Sequence, residues 1–199
     1  MKIYNKMWND QIKRFDRETL EHSSRVETLS IMIANLCHVS EEDKNILKYV
    51  SKFHDIGKLK ISKRIIGKTS KLSQREYEII KQHPITGVNI LKSYGIVDQK
   101  ILDVVGQHHE NWDGTGYPDK LKGLEISFLA SVVHLADVIE ALSVKRPYKK
   151  RWSVIMVKKY LKRDLLKGKR FNPFLLNTVI NNFSIFNFII EEETEMINK

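Results

Sequence analysis

The chain has 199 residues, 42% hydrophobic and 29% charged, which suits one soluble globular domain with a substantial buried core and excludes disorder as the default. Its single cysteine, Cys37, excludes an intrachain disulfide and a multi-thiolate zinc site, so any metal must be held by His, Asp and Glu. The formal charge of +10 suits an anionic partner or merely a lysine-rich background, and without an arginine-rich run or basic-aromatic repeat no nucleic-acid polymer is expected.

The opening "MKIYNKMWNDQIKRF" mixes charges and amides throughout, so it is not a secretory leader and reads as a short lead-in over residues 1–15. Apolar spacings of three and four then recur to the end, strand-like alternation is scarce, and the expected class is all-α in a single domain over 1–199. Asp16 is placed to cap a helix running to about His38, and Ser40, followed by Asp43, a second that reaches "FHD". The stretch from Leu59 to Leu72 reads as a loop. Ser73 with Glu76 then matches a capping box and opens a short helix toward His83-Pro84, and another helical segment ends near Gly95. Asp98 is expected to cap a helix through "KILDVVGQHH", followed by a Gly/Pro-rich loop and a long helix from about Ser127 to Val144. Helices over roughly Ser153–Leu166 and Pro173–Asn182 complete the domain, leaving 183–199 as a tail. The run "FLLNTVINNFSIFNFII" is broken by asparagines and reads as a packed element rather than a membrane contact, so the protein is expected in the cytoplasm.

Several polar residues fall on faces that should be buried. The inward stripe of the first helix reads Glu18, His22, Val26, Leu29, Ile33 and Leu36; the second aligns Leu47, Val50 and His54, with Asp55 next; the long later helix aligns Ala130, Val133, Asp137 and Ala141. Any one of these is explained by a satisfied core histidine or a helix cap, but together they would leave several charges in one core without partners. A shared metal cluster answers them all. Histidine and carboxylate ligands without thiolate favour iron, manganese or zinc. More ligands than one ion can hold suggest at least two ions, and Asp55, adjacent to a ligand histidine, is suited to bridge them. A bridged pair can activate water and clamp a phosphoryl oxygen, the requirement of in-line phosphoester hydrolysis.

Six ordered motifs, "ETLEHSSRV" at Glu18, "FHDIGK" at Phe53, "KQHPITG" at Lys81, "HHENWDGTGYP" at His108, "LADVIEAL" at Leu135 and "KRPYKK" at Lys145, resemble the HD-GYP domain of bacterial signalling proteins, a branch of the HD metal-dependent phosphohydrolases. The resemblance spans Asp16 to Phe174. It implies an HD helical core with additional C-terminal helices, and hydrolysis of cyclic di-GMP to pGpG and in some members to GMP. Carried over position by position, it implies His22, His54, Asp55, His83, His108, His109 and Asp137 as ligands of iron or manganese, and Glu18, followed by Thr19 as in members holding a third ion, as a further ligand, so that a trinuclear site is expected over a dinuclear one. Lys58 stands one turn beyond His54 and reaches the same side as the metals, where its ammonium meets a nonbridging phosphate oxygen. Arg146 and Lys149 resemble the family's contacts to the second phosphate, Tyr148 and Trp112 are candidates to stack on guanine or simply to pack, and Gly116 and Tyr117 belong to the substrate side of the GYP loop.

The resemblance also implies docking of GGDEF-domain proteins on the GYP loop and allows a homodimer. Mixed cyclic GMP-AMP, another phosphoester, and a binding-only receptor are the competing readings. HD-GYP domains commonly follow a sensor domain, and the residues before Asp16 are too few to fold as one. "FNP" at Phe171, Glu140 in "VIEAL" and Lys63 depart from the usual pattern, and are expected to bear on surface partners and loops rather than on the chemistry. His134, three residues before Asp137, reads as a packing residue or else a hydrogen-bond partner behind the ligands, and His38, near a helix end, as a surface residue or a charge partner of the helix C-terminus.

Overall fold

The computed structural model describes residues 10, 14–144 and 151–186. Among them every regular element is helical: α1 (Arg17–Leu36), α2 (Glu41–Phe53), a 3₁₀ turn (Ile56–Lys60), α3 (Lys63–Ile66), α4 (Gln74–Ile80), α5 (His83–Ser93), α6 (Gln99–Gln107), α7 (Phe128–Ser143), α8 (Val154–Lys167) and α9 (Pro173–Asn181), with 3₁₀ turns at Gly123–Glu125 and Phe183–Phe186. The expected caps form. The Asp16 carboxylate accepts from Thr19 N at 2.8 Å, Ser40 Oγ from Asp43 N at 3.1 Å, and Asp98 from Lys100 N at 2.9 Å. Ser73 and Glu76 make both bonds of the capping box.

Three boundaries differ from the sequence reading. The expected loop over Leu59–Leu72 contains the end of a 3₁₀ turn and the single turn α3, whose start is capped by Ser62. Four residues are too few to display a 3.6-residue period, so periodicity does not reveal such a turn. The helix expected to run through His109 ends at Gln107, with His108 as its C-cap, and both histidines leave the helix as a turn. The expected tail begins inside the core: Phe183 and Phe186 are buried, since a 3₁₀ turn brings both rings to one side. Residues 187–199, and Arg146, Tyr148 and Lys149, lie outside the described residues.

α1 packs against α2 and α7, α5 lies on the Ile56–Lys60 turn and on α6, and α6 closes onto α7. Val26, Leu29 and Ile33 of α1, Leu47 and Val50 of α2, Val104 and Val105 of α6, and Val132, Val133 and Ala136 of α7 form one buried core. The α7 sequence is apolar on nearly every side, so it sits centrally, and the helices around it carry the amphipathic patterns. This places the polar ends of α1, α2, α5, α6 and α7 around a common point. Gly57 is needed for that convergence. A Cβ there would run into the His83 carbonyl oxygen and lie 2.7 Å from Gly87 N, so only glycine lets the turn meet α5 backbone to backbone.

Candidate metal centre

Two groups of potential ligands emerge, Asp55, His83, His108 and His109 in one and His22, His54 and Asp137 in the other, with ligand atoms within 4.8 Å of one another in each. Asp55 joins them. Its Oδ1 lies 3.2 Å from His83 Nε2 and 3.8 Å from His108 Nε2, and its Oδ2 lies 3.5 Å from His54 Nε2 and 3.7 Å from His22 Nε2. His22 Nε2 is also 3.5 Å from Asp137 Oδ1. Two ligand atoms bound to one ion at roughly 2.1 Å stand at most about 4.2 Å apart, and these separations fall inside that limit. The carboxylate that the sequence suggests as a bridge does have one oxygen toward each group.

Four of the five histidines are aimed by their other nitrogen. His54, His83 and His108 stand at or next to helix ends, where free carbonyls remain, and their Nδ1 atoms donate to the carbonyls of Ser51 (2.7 Å), Ile80 (2.8 Å) and Val105 (2.8 Å). His22 Nδ1 lies 2.8 Å from Glu140 Oε2. A carbonyl or an ionised carboxylate only accepts, so the proton is assigned to Nδ1 in all four rings and every Nε2 presents a lone pair inward. His83 Nε2 and His108 Nε2 then face each other at 3.1 Å, and His22 Nε2 and His54 Nε2 at 3.4 Å, around a carboxylate. Lone pairs so arranged repel one another. Asp55 Oδ1 is buried with no hydrogen-bond partner. A cation among these atoms removes both penalties, and neutral imidazole with carboxylate is the donor set for a borderline divalent metal. The residues therefore fit a metal.

The electrostatics agree for His54, His108 and His109. Burial, reinforced by neighbouring imidazoles, holds His108 down at about 4 and His109 well below the usual histidine range, and burial also lowers His54, so these rings stay in the ligand form at neutral pH. Burial opposes charge on Asp55, yet the Lys58 ammonium, 2.6 Å from Oδ2, outweighs it and keeps the carboxyl well below its ordinary value. His22 moves upward: burial disfavours its protonation, but Glu140, Asp137 and Asp55 together prevail.

The loop after His109 is pinned from within. Glu110 is 1% exposed; its Oε1 accepts from Asp119 N at 2.7 Å and Lys120 N at 3.0 Å, and its carbonyl accepts from His134 Nδ1 at 2.8 Å. Tyr117 N donates to the His109 carbonyl at 3.2 Å, and the Tyr117 ring lies 4.8 Å from the His109 ring between centroids. Gly116 is buried against this turn, where a Cβ would lie 2.5 Å from Glu110 Cα and 2.6 Å from the His109 carbonyl oxygen. Its side-chain-free backbone thus shapes the loop that carries His109. Trp112 donates its main-chain N–H to the Arg170 carbonyl at 3.0 Å and lines a shallow recess with Glu110, His134 and Phe171.

The structure brings together His22, His54, Asp55, His83, His108, His109 and Asp137, with half-buried Lys58 beside Asp55. Glu18 belongs to neither group and is exposed, contrary to the expected burial of the whole α1 stripe. It lies in the first turn of α1, ahead of the segment that α2 and α7 cover, and burial begins at His22. Glu140 corrects the sequence reading more sharply. It is 1% exposed and bonded to His22 and Arg25, not a surface departure. Its signal was present in the sequence: Glu140 follows Asp137 by three residues on the most apolar helix, where a charge needs a partner. Glu110, also missed, has no periodic signal because its role is set by a loop.

The HD domain family matches residues 6–167. The chain is 34% identical over 171 residues to the 3'3'-cGAMP-specific phosphodiesterase 2 of Vibrio cholerae serotype O1, covering 85% of this chain and 32% of that protein. It is 36% identical over 159 residues to a cyclic di-GMP phosphodiesterase of Thermotoga maritima, covering 79% of this chain and 43% of that one. It thus spans less than half the length of these two relatives. Among solved structures, Bd1817, an HDG"Y"P protein from Bdellovibrio bacteriovorus, matches with a TM-score of 0.65 at 22% identity over 83% of this chain and 52% of that one, a likeness of fold.

Proposed function

Because this chain belongs to the HD domain family, in its HD-GYP branch, we propose that it is a metal-dependent phosphodiesterase acting on a cyclic dinucleotide. The observation that carries the reading is the inward set of four Nε2 lone pairs around Asp55, with one carboxylate oxygen toward each ligand group. We assign two divalent ions, iron or manganese, to the two groups. Bound there, they would supply an activated water and charge neutralisation at a phosphoryl oxygen.

The remaining work falls to side chains. Lys58, 35% exposed at its side chain, is tethered by Asp55 yet open to solvent, so its ammonium meets a nonbridging phosphate oxygen. His54, His108 and His109, held neutral by burial, do not repel the ions at neutral pH. Glu110 and Gly116 hold the loop so that Tyr117 covers His109 and limits water on that side. Arg146 and Lys149 are proposed as contacts to the second phosphate. Cyclic di-GMP, cleaved to pGpG and onward to GMP, is the proposed substrate, and cyclic GMP-AMP is the alternative because relatives with both names align with this chain. The exposed rim of the loop, Thr115, Asp119 and Lys120, is the proposed docking face for a GGDEF-domain partner. No described helix is long and apolar enough to cross a membrane, which suits the proposed cytoplasmic setting.

The test is anaerobic purification, a count of metals per chain, and chromatography of both cyclic dinucleotides incubated with iron- or manganese-loaded protein. Linear product from either supports the reading. Fully metallated protein that binds a dinucleotide and never cleaves it identifies a receptor instead.

A further inference from the structure

His22 differs from the other three inward histidines in how it is held. His54, His83 and His108 lie at or beside helix ends and use a main-chain carbonyl three residues back. His22 lies inside α1 (Arg17–Leu36), where the helix's own ladder occupies the carbonyls, so its Nδ1 needs an acceptor from elsewhere. That acceptor is Glu140 of α7, 2.8 Å away and separated by 118 positions in sequence. A carboxylate that is 1% exposed needs a positive partner, and Arg25, one turn after His22 on α1, supplies it. Both Arg25 Nε and Nη2 lie 2.9 Å from Glu140 Oε1, which leaves Oε2 for the imidazole. Asp137, one turn before Glu140 on α7, stands at the opposite nitrogen of the same ring.

We propose that Glu140, held by Arg25, is a positioning residue that fixes His22 in the Nδ1–H form and strengthens its Nε2 as a metal donor. The inference rests on the metal-centre reading above. It assigns a selective role: Glu140 governs the ion of the His22, His54 and Asp137 group, and the Asp55, His83, His108 and His109 group does not depend on it. An imidazole whose rear nitrogen donates to a carboxylate is a better ligand than one bonded to a carbonyl, and loss of such a partner typically lowers metal affinity about 10–100-fold.

The decisive variant is Glu140→Gln. Its amide keeps the shape, but when its oxygen faces Arg25 its nitrogen offers His22 Nδ1 a donor, which favours the wrong tautomer. Binding of Mn²⁺ alone to the full chain, followed by electron paramagnetic resonance of the free ion, separates the two sites. The expected result is one binding step weakened about 10–100-fold and the other unchanged, with circular dichroism as in wild type. Glu140→Asp, which keeps an acceptor, should recover part of the loss; a role in packing alone would make Asp the worse variant, because it opens a gap. If Glu140→Gln does not fold, Arg25→Met decides: the same step weakens several-fold under the proposal and stays put otherwise. Unchanged affinity at both steps in a folded Glu140→Gln protein overturns the proposal. A wild-type chain that binds no Mn²⁺ overturns the metal-centre reading itself, a separate outcome.

Discussion

His134 offers a quantitative test of burial that does not involve a proposed ligand. The ring is 6% exposed, donates from Nδ1 to the Glu110 carbonyl, packs 5.1 Å from Phe171 between centroids, and is faced by the charges of Arg170 and Asp137. Burial, and secondarily Arg170, lowers it from 6.5 to about 4. The unfolded chain therefore takes up this proton at about 6.5 while the folded chain refuses it until about 4, so stability falls as pH drops through that window and levels off below it. At about 1.4 kcal/mol per pH unit the full loss is roughly 3 kcal/mol, of which about 2 kcal/mol has gone by pH 5. His134→Gln retains a donor for Glu110 but cannot titrate. Urea unfolding of chelator-treated wild type and His134→Gln at pH 7 and pH 5 should show the variant losing about 2 kcal/mol less than wild type on acidification. The difference between the two proteins cancels the titration of His54, His108, His109 and Glu110, which both share. Equal losses would mean that His134 is solvated in the folded state, and the burial argument would fail for the ligand histidines too.

Asp55→Asn keeps the shape but removes the charge and one of two equivalent ligand oxygens, so hydrolysis should fall at least about a hundredfold and metal content should drop in elemental analysis; full metal content with substantial turnover would remove Asp55 from the bridging position. Gly57→Ala places a methyl against the backbone of His83 and Gly87, and thermal or urea unfolding should show a loss of about 1–3 kcal/mol, as overpacking does. Chelation should lower the melting temperature in proportion to the logarithm of metal concentration over Kd when metal is titrated back; a melting temperature independent of metal would contradict a folded-state metal centre. On the two-ion reading Glu18→Ala keeps the count at two per chain, because Glu18 is exposed and outside both groups, and a drop of one ion restores the third-ion expectation.

The sequence alone determined the helical class, because apolar spacing and cap residues are local properties: Asp16, Ser40, Ser73 and Asp98 cap the helices they announce. It also marked the centre, since charged residues on the buried faces of α1 and α7 and at the end of α2 have no local explanation and must be answered from elsewhere in the fold. The tertiary structure decided what answers them. That Asp55 divides its two oxygens between two groups, that His22 is steered by Glu140 across 118 positions, and that Glu110 ties the loop to α7 are consequences of helices meeting at an end. No periodicity encodes such meetings. Glu18 shows the same limit from the other side: the pattern places it on the inward stripe of α1, and only the extent of α2 and α7 determines where that stripe stops being covered.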